Sequence, residues 1–314
     1  MNERLLAIYR RLAPVAMAPL HERVRRSVIT VLPRNATLNI DYDQPLGDAG
    51  LFGPDSMVWR IHADFPSMMT GGICALMLQT LHPLALAGVW DHSNFRGDLL
   101  GRLRRTAAFV AGTTYASTSE AQRLIARVAG IHRHVAGQAE DGRPYAATDP
   151  QLLTWVHTTE MLSFVRGYQR YRDAALPLAV QDRYYAETSR VAEALGARAV
   201  PKSVAEVEAY FESVQPDLEF SARSREVLDV LAGIDLPIPL SGVSKHLFLG
   251  AGAALLPDWA TARISRSRVQ RLRDRAAAHS LHALAPVLRA ALKEGASARA
   301  CRRVGVDPAS LSTF

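Results

Sequence analysis

Helix-start signals recur along this chain, and they restrict its fold more than any other sequence feature. Asp98 precedes an amphipathic segment, and Ser119 with Gln122 three positions later forms a capping-box pattern. Asp149 followed by Pro150 is a third start signal, because proline is favoured at the first helical position. No run of alternating apolar and polar residues indicates strands between these signals. The sequence therefore predicts an all-α fold.

The composition agrees with a single helical domain over residues 1–314. Hydrophobic residues make up 48% of the chain and charged residues 21%, while aromatic residues contribute only 7%, which favours helices over strands. No repeat and no Pro/Gly/Ser-rich linker divides the chain. In chain order we expect an amphipathic region at residues 1–27, a turn-rich loop at 39–56, and helices at about 98–112, 119–137, 150–173, 181–195 and 204–214.

Two cysteines, Cys74 and Cys301, are too few for a disulfide framework, and neither lies in a CxxC pattern. The N-terminal residues lack the apolar core and small-residue cleavage site of an export signal. Together these features predict a reduced, cytoplasmic setting. Nucleotide-binding, zinc-protease and serine-hydrolase motifs are absent from the sequence.

The longest apolar stretch, GGICALMLQTLHPLALAGVW, approaches the ~20 residues that span a bilayer. Gln79 and His82 would be unfavourable in lipid, and Pro83 interrupts a continuous helix. We therefore expect two buried helical segments that meet at Pro83, with a membrane span as the less favoured alternative, and no stable membrane insertion.

The net charge of +7 is densest at residues 263–275, where six arginines surround much of a predicted helix. No aromatic residues lie between them to stack on nucleic-acid bases. A solvated helix face is therefore favoured over nucleic-acid binding.

Two histidines stand close together in IHRHVAG, but helical geometry separates them. Successive residues are about 100° apart, so His132 and His134 point in nearly opposite directions. His132 continues the apolar stripe formed by Ile125, Val128 and Val135, whereas His134 lies on an arginine-rich face. His132 is therefore the inward-facing histidine.

An inward-facing histidine has two interpretations. It can be a core residue with both ring nitrogens hydrogen-bonded, or a neutral imidazole that ligates a metal. Heme iron requires only one such histidine, because the porphyrin supplies four nitrogens. Zinc or non-heme iron would require further protein ligands. His82, His92 and His157 also lie in or beside apolar segments, so these histidines together suggest a polar pocket within a helical core.

The predicted helix after Asp98 carries arginines along the edge of its apolar stripe. Arg102 and Arg105 border Leu99 and Leu103 in this segment. They could bind heme propionates or an anionic intermediate through charge-assisted hydrogen bonds, or extend into solvent as surface residues.

Six segments of the chain occur in an order that identifies a family: WRIH (59–62), LQTLHPLALAGVWDHSNF (78–95), GRLRRT (101–106), IHRHVAG (131–137), GRPYAATDPQLLTWVHTT (142–159) and DRYYAET (182–188). Together they resemble the catalytic domain shared by rubber oxygenase (latex-clearing protein) and MpaB-type oxygenases. The matching core runs from about residue 55 to 260, and basic helices follow at 261–314.

This resemblance implies a globin-like helical core around heme b. His132 corresponds to the proximal ligand of an RxxHxxxR-like pattern, although Ala129 and Ala136 replace its two arginines. The family's distal RxxKT pattern is matched by Arg102, Arg105 and Thr106, with Arg105 in place of lysine. Because arginine is a poor iron ligand, we expect an open or water-bound distal position.

The resemblance further implies an oxygenase that uses dioxygen and a small, apolar intracellular substrate, with rubber itself disfavoured. His132 would hold the iron, Arg105 and Thr106 would shape the distal side, and Arg102 and Arg60 would bind propionates. His82, His92 and His157 would be pocket residues, with His157 taking part in catalysis. The alternatives are a non-heme metal enzyme built on these histidines, or a heme- or apolar-ligand-binding protein without turnover. The sequence does not fix an oligomeric state.

Overall fold

The structure is a computed structural model that describes residues 18–19, 21–28, 30, 39–237 and 241–312. The amphipathic region predicted for residues 1–27 therefore lies mostly outside the described residues. From residue 57 onward the helices are α1 (Met57–His62), α2 (Phe65–Gln79), α3 (Pro83–His92), α4 (Leu99–Tyr115), α5 (Thr118–His132), α6 (Pro150–Tyr171), α7 (Leu178–Leu195), α8 (Val204–Val214), α9 (Ala222–Ala232), α10 (Ser241–Ala253), α11 (Asp258–Arg263), α12 (Arg268–Ala291) and α13 (Ala296–Arg303). Short 3₁₀ turns occupy Gln215–Asp217 and Pro308–Ser312.

The all-α prediction is confirmed, since about 69% of the structure is helical. A hairpin between α5 and α6 is an exception that the sequence analysis missed. Its strands β1 (Ala136–Gln138) and β2 (Pro144–Ala146) pair antiparallel, with Gly137 opposite Tyr145. The globin-like arrangement and the single-domain organisation stay predictions.

The predicted start and end of α5 are wrong. Ser117, not Ser119, is the N-cap, and its side chain accepts a hydrogen bond from the Glu120 amide. The helix begins earlier because Asp48 accepts hydrogen bonds from both the amide and the hydroxyl of Thr118. It ends at His132 rather than near Gly137, because the chain enters the hairpin there.

The other two start signals are confirmed. Asp98 caps α4 by accepting a hydrogen bond from the Gly101 amide, and Asp149 caps α6 in the same way from Gln151. Helix α4 continues to Tyr115, past the end expected near Gly112.

Helices α2 and α3 are the two segments expected to meet at Pro83. They bend by 103° at the break between them, and only as a bent pair do they reach the length and apolarity of a membrane span. No single helix within the described residues does so.

The six arginines of the basic segment at residues 263–275 fall into two groups, two that contact other parts of the protein and four that are exposed to solvent. Arg263 donates to the backbone carbonyl of Leu218, and Arg266 pairs with the buried Asp274 at 2.7 Å. The remaining arginines lie exposed on α12, as expected for a solvated helix face. These are Arg268, Arg271, Arg273 and Arg275.

Close contact between α2 and α6 forms the centre of the core. A Cβ atom added at Gly71 would lie 2.8 Å from the Phe164 ring and from the Ser163 carbonyl oxygen. One added at Gly167 would lie 2.5 Å from the Ser67 carbonyl oxygen. Glycine at these positions therefore allows the two backbones to approach, which fixes the side chains that α2 and α6 present to the cavity described below.

Neighbouring glycines of α2 provide a matched test of this packing. We expect Gly71→Ala to lower the free energy of unfolding by about 1–3 kcal/mol, because its methyl group overlaps α6. Gly72 has no atom within 4 Å of an added Cβ. Gly72→Ala should therefore raise that free energy by about 0.5–1 kcal/mol through helix propensity. Urea unfolding of both variants tests the contact, and equal effects would contradict it.

Candidate active site: a cavity among helices α1 to α7

A cavity of about 530 Å³ lies among the first seven helices and the hairpin. Its volume falls within the range of about 300–1,000 Å³ that is typical of ligand and cofactor sites. Most of its wall is apolar, with contributions such as Leu76, Val110, Val128, Val156 and Leu195. Such a wall favours an apolar ligand and places the few polar groups in positions where they can orient it.

Six of the eight predicted site residues line this cavity: His92, Arg102, Arg105, Thr106, His132 and His157. They come from α3, α4, α5 and α6, so the fold brings together residues that are far apart in the sequence. Arg60 and His82 are not part of the cavity lining.

His132 lies in the last turn of α5 and faces the cavity, whereas His134 is exposed. This confirms that the two histidines point apart. The Nδ1 atom of His132 is buried, and no residue in the described part of the chain forms a hydrogen bond with it. Burial lowers the pKa of His132, so its imidazole is neutral at neutral pH. A neutral imidazole on the cavity wall is in the form required of a metal ligand.

Three predicted distal residues follow one another on α4. Arg102 is largely enclosed and donates to the Ser93 hydroxyl at 3.3 Å. Burial, together with the charge of Arg105, lowers the pKa of Arg102. Arg105 and Thr106 lie on the exposed part of the cavity wall, where Arg105 is 3.3 Å from an Asp98 carboxylate oxygen. The cavity is therefore positively charged on the side formed by α4.

Helix α6 contributes a polar pair that sequence analysis identified only in part. His157 lines the cavity as predicted, and Glu160, one turn later, lines it too. Burial lowers the pKa of His157 to about 4 and raises the pKa of Glu160 to about 7, an effect that Gln79 on α2 partly offsets. The i, i+3 spacing of His157 and Glu160 could have revealed this pair.

His62 is a second cavity residue that the sequence analysis did not single out, although it ends the WRIH segment. Its Nδ1 lies 2.9 Å from the Thr114 hydroxyl, and its Nε2 lies 2.7 Å from the Tyr184 hydroxyl. Burial, with a smaller contribution from His157, lowers the pKa of His62 to about 3. Both ring nitrogens are satisfied, so His62 joins α1, α4 and α7 as a neutral structural residue.

The remaining predicted residues have other surroundings. His92 is exposed at the cavity edge, with Nε2 3.2 Å from the Ala136 carbonyl oxygen. His82 is buried at the start of α3, with its ring 5.6 Å from that of Trp155. Arg60 extends toward the C-terminal 3₁₀ turn and donates to the Ser310 carbonyl oxygen at 3.4 Å.

The structure does not bring the histidines together as a ligand cluster. Among the residues it describes, no group of three or more His, Cys, Asp or Glu side chains is arranged to hold a metal ion. Heme is different in this respect, because one protein imidazole suffices to ligate its iron.

A comparison with protein families now decides the family. The family model of the ER-bound oxygenase mpaB/B'/rubber oxygenase catalytic domain matches residues 59–290. The chain belongs to this oxygenase family. The matched range contains every helix that lines the cavity, apart from the first two residues of α1. No curated protein and no solved structure matches the chain.

Proposed function

We propose that this member of the oxygenase family is a heme b-dependent enzyme that oxidises a small apolar molecule with dioxygen. The observation that carries the proposal is the imidazole of His132, which lies on the wall of a cofactor-sized cavity. Its buried Nδ1 atom has no hydrogen-bond partner among the described residues. A buried polar atom without a partner is rare in folded proteins. Insertion of a ligand beside His132 would explain why this position carries a histidine.

The chemistry of the cavity wall also supports the proposal. Its apolar wall suits the porphyrin faces, and His132 supplies the single protein ligand that heme iron needs. Arg102, which makes no ion pair with the other described residues, can bind a propionate, and the carboxylate would offset the cost of burying its guanidinium. When bound, heme would supply the activation of dioxygen.

The residues of α4 would act on the open side of the site. Arg105 and Thr106 place hydrogen-bond donors on the accessible part of the wall. They can orient polar ligands there, while the apolar residues of α6 and α7 exclude water from the substrate. The expected cytoplasmic location and an apolar intracellular substrate are part of this proposal.

Oxygen uptake tests the proposed activity. Protein saturated with hemin should consume dioxygen when supplied with a reductant and a small isoprenoid alkene such as geranylacetone. Arg105→Leu should slow this uptake by about 10–100-fold, because leucine removes a charged hydrogen-bond donor from the accessible part of the cavity wall. Arg104→Leu, at a half-buried position on the same helix but outside the cavity lining, is the control. Heme binding without uptake on any alkene would favour a ligand-binding protein instead.

A further inference from the structure

Two polar side chains face the cavity from one side of α6. His157 and Glu160 are three positions apart in the sequence, so they project in similar directions about one helical turn apart. Around them the wall consists of groups such as Leu76, Val156 and Met161. The pair thus forms a local polar site within an apolar surface.

The protein leaves this pair largely without partners. His157 makes no hydrogen bond with another described residue, and for Glu160 the amide of Gln79 is the interacting polar group. His62, in the same cavity, is different because Thr114 and Tyr184 satisfy both of its nitrogens. His157 and Glu160 are both half-buried, so water or a ligand can reach their polar atoms from the cavity. The contrast indicates that the structural role belongs to His62 and that the α6 pair is available to a ligand.

The protonation states of the pair define the class of group it can bind. With a pKa of about 4, His157 is a neutral imidazole at neutral pH, and Glu160, with a pKa of about 7, carries its proton below that pH. The groups that face the pair are Gln79 from α2, His62 from α1 and Tyr184 from α7, and none of these is charged at neutral pH. Arg102 and Arg105 lie on α4, on another wall of the cavity.

We propose that His157 and Glu160 form a subsite for one neutral oxygen-bearing group, a ketone, aldehyde or hydroxyl, of an otherwise apolar substrate. The protonated carboxyl of Glu160 donates a hydrogen bond to the substrate oxygen, and a hydroxyl can in turn donate to the imidazole of His157. A substrate carboxylate is disfavoured, because it would lie beside the carboxyl of Glu160 as that group ionises. The subsite defines the class of substrate that the cavity would bind, and this inference rests on the proposed function.

Binding of 2-octanone tests this subsite, because a ketone only accepts hydrogen bonds. We expect 2-octanone to bind the purified protein at pH 6. Its affinity should fall by about 5–10-fold at pH 8.5, because Glu160 ionises and loses its hydrogen-bond donor. Glu160→Gln keeps an amide donor at both pH values, so its affinity should not change with pH. Ethylbenzene, which has no acceptor oxygen, should bind the wild type equally at both values. Isothermal titration calorimetry measures all six affinities.

Two controls distinguish the subsite from indirect effects. Glu160→Leu should lower the affinity for 2-octanone by about 5–10-fold more than it lowers the affinity for ethylbenzene. Glu193 is exposed on α7, so Glu193→Gln should change neither affinity. The proposal is overturned if the wild type does not bind 2-octanone at pH 6, or if Glu160→Gln retains its pH dependence. Ligand binding does not require heme, so a protein that takes up no added hemin and yet shows this pattern would contradict the proposed function and leave the subsite intact.

Discussion

His132→Ala should abolish stoichiometric heme binding while the helical fold persists. Hemin added to the wild type should produce a Soret band that saturates at about one heme per chain, and the variant should give only the broad spectrum of unbound hemin. The reason is that His132 is the single imidazole that the proposal assigns to the iron, and replacement by alanine leaves no ligand at that wall. The side chain of His132 makes no hydrogen bond with the residues that the structure describes, so circular dichroism should stay unchanged.

His134→Ala is the matched control for this experiment. His134 is two residues away and exposed, and its Nδ1 lies 3.0 Å from the Gly130 carbonyl oxygen. Its replacement should leave the hemin titration unchanged. Equal loss of heme in both variants would indicate damage to the end of α5 rather than removal of a ligand, and unchanged binding in His132→Ala would refute the assignment.

Arg289→Met should cause a large loss of stability. Arg289 on α12 pairs with Asp64, which is 6% exposed and caps α2, and it also donates to the Tyr171 carbonyl oxygen at the end of α6. Its removal leaves a buried carboxylate without its ion-pair partner, which costs about 3–5 kcal/mol in other proteins. We expect a loss of about 3 kcal/mol here because Arg289 retains some solvent contact. Urea unfolding measures the change.

An exposed ion pair offers the comparison. Arg302 lies 2.8 Å from Glu294, and both side chains are at least half exposed. Arg302→Met should therefore change the free energy of unfolding by less than about 1 kcal/mol. If both substitutions have the same small effect, Arg289 does not hold α12 against α2 and α6 in the way that the structure indicates.

The local features of the fold were predictable where one residue decides them. Asp98 and Asp149 cap their helices as expected, because a single side chain satisfies the free backbone donors. The start of α5 was not predictable in this way. It depends on Asp48, 70 residues away, which accepts hydrogen bonds from Thr118 and moves the helix start to Ser117. A capping pattern in one segment carries no information about such a distant partner.

The same limit applies to the candidate site, where the sequence predicted local features but not contacts between distant residues. Helical periodicity placed His132 and His157 inward, because it reports which face of a helix is apolar. It could not separate His157 from His62, since only the structure shows that Thr114 and Tyr184 satisfy the ring of His62. It also could not show that Arg60 extends to the C-terminal turn, because that contact joins residues 250 positions apart.

The absorption spectrum of the purified protein, recorded before and after titration with hemin, tests the central claim most directly. The account predicts a Soret band at a stoichiometry of one heme per chain, together with a pyridine-adduct spectrum of heme b. A protein that is purified without colour and gives no saturable Soret band with hemin would contradict it.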